Sequence, residues 1–110
     1  MPIAAGEMPR RITIQRSAPE QDASGQEIAA WSDLSTRWAS WRRASARETL
    51  AAAELSAEVT DVFVIRWANS VQDVGPKDRL LYRGRIYDIA DCIEIGFREG
   101  IQITASARSD

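Results

Sequence analysis

The sequence predicts a mainly β protein: a small β-barrel or sandwich of about six strands with one short inserted helix. Three observations predict it. Apolar residues alternate with period two along most of the chain, turn signals recur at short spacing, and the period becomes helical in a single window. At 110 residues the chain fits one domain, taken as residues 11–110 behind an N-terminal arm of residues 1–10.

In "RRITIQRS", Ile12 and Ile14 alternate with Thr13 and Gln15, which predicts a first strand at about 11–17. "APEQDASGQE" reads as a polar loop, and "IAAWSDL" as a second strand. "TRWASWRRA" fits either period, and its aromatic content favours a strand, in which Trp38 and Trp41 oppose each other. Ser45 lies three residues before Glu48, the spacing of a capping box, so residues 46–56 are expected to be helical. Ala46, Leu50, Ala53 and Ala57 would form a narrow face that packs on something. In "EVTDVFVIRW" both faces are apolar, as expected of a strand covered on each side. Arg83-Gly84 then supplies a tight reversal between two strands. On the return strand Tyr87, Ile89, Ile93 and Ile95 are expected to face inward. A further turn between Gly96 and Gly100 leads to Ile101, Ile103, Ala105 and Ala107, also inward.

The chemistry available is narrow. There is no histidine, which removes the commonest general base, the usual zinc ligand and any Ser-His or Cys-His pair. Glu54, Glu58, Asp88 and Asp91 fit no ligand series, and no phosphate loop, dinucleotide fingerprint or nucleophile elbow occurs. Cys92 lies in an apolar strand pattern and reads as a small buried hydrophobe. The sequence thus predicts no enzyme, no cofactor and no metal. Sixteen acids against 14 bases give a net charge of -2, so no global attraction to nucleic acid or anionic membrane is expected. No apolar run reaches the ~18 residues of a membrane span, and the first residues lack a secretion pattern.

The order "RRITIQR", "DASGQEIAAW", "RWASWRRASARE", "AEVTDVFVIRW", "DRLLYRGRIYDI" resembles the head-tail joining (stopper, or head-closure) proteins of tailed phages and of gene transfer agents. The resemblance runs from about Arg11 to Ile103 and rests on order and spacing rather than on any one motif. Where the family has a proline and a leucine-serine-glycine run, this chain has Arg43, Ala44, Ser45 and Ala46, which favours a helix.

The resemblance implies a structural protein that forms a ring, six- or twelve-fold, at the neck of a particle assembled in the bacterial cytoplasm. It would close the DNA-filled head below the portal-adaptor protein and dock a tail terminator or tail tube protein, with packaged DNA nearby in the channel and no membrane involved. Arg42, Arg43, Arg47 and Glu48, on the helical insertion, are expected at a subunit interface or facing the channel. Ile3 and Met8 are expected to anchor the arm in a partner. The rival reading is an OB-like barrel that binds single-stranded nucleic acid through "RWASWRR". Nothing else in a net acidic chain extends that patch, and the bland reading is preferred: tryptophans in core and interface, arginines solvated or paired.

Overall fold

The computed structural model describes residues 8–21 and 23–108. Six strands form a closed antiparallel barrel: β1 (Arg10–Gln21), β2 (Glu27–Arg43), β3 (Asp61–Arg66), β4 (Asp78–Tyr82), β5 (Arg85–Ile95) and β6 (Gly100–Ala107). Around the barrel the order is β1-β2-β3-β6-β5-β4, and β4 closes it by pairing with β1. One helix, α1 (Ala46–Glu54), joins β2 to β3.

Inward-facing Ile12, Ile14, Ala39, Phe63, Ile65, Leu80, Tyr82, Tyr87, Ile89, Ile101, Ile103 and Ala105 fill the barrel. Phe63 is the hub, with the rings of Tyr82 and Tyr87 each 5.4 Å away in edge-to-face contact. On β3, Val62 is buried on the opposite face while Val64 is only half-buried, so that face is covered in part. The tryptophans of β2 divide as a strand requires: Trp41 packs on the core and Trp38 is exposed.

Three expectations fail for physical reasons. The predicted loop at residues 18–27 is half strand: β1 continues to Gln21 and β2 starts at Glu27. Residues 17–21 pair only with 27–31, as a two-stranded ribbon beyond the barrel. A ribbon with no core beneath it has no apolar alternation to read. Second, Ile93 is 53% exposed. A register shift between Ile89 and Asp91 gives β5 one extra residue, so facing reverses and Cys92 points to the core in place of Ile93. Third, α1 buries none of its residues, and Leu50 and Leu55 are 65% and 82% exposed. Among the described residues, the face expected to pack stays exposed.

The helix itself starts where predicted and ends slightly sooner. Ser45 Oγ accepts from the Glu48 amide at 3.2 Å, and the Glu48 carboxylate accepts from the Ser45 amide at 2.9 Å. At its other end Ser56 turns left-handed, with φ 56°, and the amides of Ser56 and Ala57 bond back to Ala53 and Ala52.

Candidate assembly surfaces

The four residues expected on the insertion do not form one group. Arg42 and Glu48 lock together: Nη1 and Nη2 donate to the two carboxylate oxygens at 2.6 and 2.8 Å. The Arg42 bonds, reinforced by the Ser45 amide, hold the Glu48 carboxyl down at about 2, and the same pair raises the Arg42 guanidinium. This clamp fixes the helix start to the end of β2. The side chains of Arg43 and Arg47 are exposed and make no hydrogen bond or ion pair among the described residues. Arg47 stays on the helix surface. Arg43 turns to the barrel mouth.

That mouth is a concavity of about 860 Å³ at the α1 end of the barrel. Among the described residues its lining includes Arg10, Arg43, Arg83 and Arg85 against a single carboxylate, Asp61. The carboxylate is already engaged: Trp41 Nε1 donates to it at 2.7 Å and Thr60 Oγ1 at 2.5 Å. Arg10 donates to Tyr82 Oη at 2.8 Å and lies over the Trp41 ring, 5.4 Å from its centroid. Burial, then the nearby Asp61 charge, pushes the Tyr87 hydroxyl up. Arg83 and Arg85 come from the β4–β5 reversal, where Arg83 (φ 52°) and Gly84 (φ 77°) form a two-residue turn with both residues left-handed. Asparagine or glycine is usual at the first of these positions. An arginine there sets charge against local preference.

Sequence reading missed this cluster because its three chain regions, at Arg10, Arg43 and the Arg83/Arg85 pair, lie 33 to 75 residues apart and only barrel closure gathers them. The one local sign was the arginine preceding Gly84.

Met8 is not a free anchor: it is 3% exposed within its own chain. It borders a second groove of about 510 Å³ with Pro9, Arg11, Arg37, Trp38 and Arg66. Ile3 and the rest of residues 1–7 lie outside the described residues. At the opposite end of the barrel Arg16 grips Asp78, Nε and Nη2 donating at 2.8 and 3.0 Å, and also reaches Asp73 at 3.2 Å. The Asp78 side chain is fully buried, and it also accepts from the Gly75 amide. Cys92 is half-buried against the core, and burial pushes its thiol up to about 12. Thiolate chemistry near neutral pH is suppressed there.

Each tryptophan carries an arginine over its ring: Trp31 under Arg79, Trp38 under Arg11, Trp41 under Arg10 and Trp67 under Arg98. Trp38 and Trp41 face opposite sides of β2, so "RWASWRR" builds no continuous stacking platform. Among the described residues, no group of three or more Cys, Asp or Glu is placed to hold a metal, and no helix is long and apolar enough to cross a membrane.

These features define a closed barrel whose candidate sites are surfaces for other macromolecules. The family model for phage head completion proteins matches residues 3–108, and the chain belongs to that family of virion structural proteins. Protein SF1141 from Shigella flexneri 2a has the same fold in solution, at 24% identity and TM-score 0.78 over 98% of this chain and 99% of that one. A chain in the virion of a native gene transfer agent particle is similar at 15% identity and TM-score 0.59, over 94% of this chain and 97% of that one. No curated protein matches.

Proposed function

We propose that this head completion protein assembles as a ring at the neck of a phage or phage-like particle, closing the DNA-filled head and presenting a docking surface to the tail. The observation that carries this reading is the α1 insertion. It is a well-capped helix clamped by Arg42–Glu48, yet it displays Leu50 and Leu55 to solvent. A helix with no buried residue derives nothing from its own core, so its order is of use to a neighbour. The portal-adaptor protein above and a tail terminator or tail tube protein below are the partners this position calls for. The family's phage role and the likeness to a gene transfer agent chain make both kinds of particle suitable hosts. Arg47 and the exposed leucines belong to the contact surface, and residues 1–7, with Ile3, to an arm that reaches a neighbour.

The test is a host in which the gene is deleted. Filled heads without tails, which lose DNA and are completed by added purified protein, are expected, with density for a ring at the neck of the restored particles. Tailed, infectious or DNA-transferring particles at full yield would overturn the reading. Purified alone, the protein should be monomeric or weakly associated, because its exposed apolar groups are scattered.

A further inference from the structure

We infer that the arginine-lined mouth of one copy receives the β1–β2 ribbon of the next, so that subunits join head to tail. This names the subunit contact of the ring proposed above and rests on that reading.

The two features are complementary in charge and lie at opposite ends of the same strand pair. Residues 17–36 contain four acids, Glu20, Asp22, Glu27 and Asp33, and no base. At residues 17–21 and 27–31 the ribbon has no third strand beside it, and Ile28 stands 47% exposed. A two-stranded ribbon alone is marginal in water and is stabilised by a partner. Two cations stand at the ribbon's base: Arg16, already held by Asp78 and Asp73, and Arg79, which lies over Trp31, 4.3 Å from the ring centroid.

At the other end, Arg10 opens β1 and Arg43 closes β2, both at the mouth. The Arg43 and Arg83 side chains make no hydrogen bond or ion pair among the described residues, and the only carboxylate among the described lining residues is already bonded twice. The mouth therefore holds uncompensated positive charge in a concavity, where fields are focused. Because one rigid strand pair carries both features at opposite ends, a copy cannot fill its own mouth. A second copy can, and such a head-to-tail contact closes into a ring when the rotation per subunit allows it.

Nucleic acid fits the mouth less well. Single strands bind where aromatic faces are free to stack on bases. Here Arg10 covers Trp41, and Tyr82 and Tyr87 are buried against Phe63. What remains open is guanidinium charge, which suits carboxylates brought in on a narrow ribbon.

The test uses the full chain and two charge-reversed variants: Arg43→Glu with Arg83→Glu in the mouth, and Glu20→Lys, Asp22→Lys and Glu27→Lys among the acids of residues 17–36. Sedimentation equilibrium up to about 1 mM protein should show weak association of the wild type that falls about ten-fold or more between low and moderate salt. Each variant alone should be monomeric with a near-native melting temperature, and the two mixed should associate again, since each then meets an opposite charge. If a reversed variant fails to fold, the neutral versions (Arg43→Gln with Arg83→Gln; Glu20→Gln, Asp22→Asn and Glu27→Gln) should still weaken association. A wild type monomeric at about 1 mM in low salt, association indifferent to both sets of substitutions, or a mixture that stays monomeric would overturn the inference. So would an oligonucleotide that binds the mouth while ribbon substitutions are silent. Imaging of particles separates the two readings: a neck ring that persists in both variants leaves the ring standing and removes this contact, whereas no ring in wild-type particles removes the ring itself.

Discussion

Two arginine–carboxylate clamps sit at opposite ends of the barrel, and they do different work. Arg16–Asp78 is inside: the Asp78 side chain is 0% exposed and that of Arg16 28%. Arg42–Glu48 has equally short bonds, but its side chains are 51% and 27% exposed, in that order. In the first, loss of Arg16 strands the desolvated Asp78 charge, and loss of Asp78 leaves a partly buried Arg16 with Asp73 alone. In the second, water replaces the lost partner at little cost. Bond length alone does not distinguish a clamp that holds the fold from one that orients a surface; burial does.

The largest expected effect falls on the buried clamp. Asp78→Ala leaves Arg16 half satisfied and the Gly75 amide without its acceptor, and should lower stability by about 3 kcal/mol in urea unfolding. A loss as small as that expected for the exposed pair would erase the contrast. Ser45→Ala comes next, removing one side of the capping box and weakening α1 by about 1 kcal/mol, read as faster amide exchange in the helix with little change in global unfolding. Glu48→Gln should cost roughly 0.5 kcal/mol or less of global stability at neutral pH.

The pH dependence sharpens that last prediction. The Glu48 carboxyl is held at about 2 in the folded chain against an ordinary 4.5, so its contribution is present above about 4.5 and is lost as pH falls toward 2. Carboxyl-carbon NMR should place the Glu48 midpoint near about 2. The melting-temperature gap between wild type and Glu48→Gln should narrow only below pH 4.5. Smallest of all, Leu50→Ala should leave stability within about 0.5 kcal/mol of the wild type, because Leu50 is exposed, while reducing assembly into particles. Removing residues 1–7 should likewise spare the melting temperature and impair assembly; Met8 is kept because it is buried.

The contrast also explains what could be read from the sequence. Ser45 and Glu48 are three residues apart, so their capping box is a local signal and was legible, as were the strands whose apolar faces alternate. Asp78, by contrast, sits after Gly75-Pro76-Lys77 and looks like a turn residue; its partner Arg16 is 62 residues away. The mouth was hidden in the same way, since Arg10, Arg43 and Arg83 become neighbours only when the barrel closes. Ile93 was misplaced because a bulge is decided between two strands, and nothing within β5 alone announces it. The exposed face of α1 was seen correctly as apolar.

The barrel's closure has a consequence for how copies behave when crowded. Backbone amides and carbonyls in a closed sheet are used up within the chain, so a newcomer cannot extend it by strand addition. The ribbon departs from this on both sides, because its two outer edges have no neighbouring strand. Two ribbons meeting there would start an open-ended stack rather than a counted ring. Pro19, which lacks an amide hydrogen, interrupts one edge, and the acids of residues 17–36 make any two ribbons repel. The same charges that invite a mouth turn away a twin, which favours a finite assembly over a fibre.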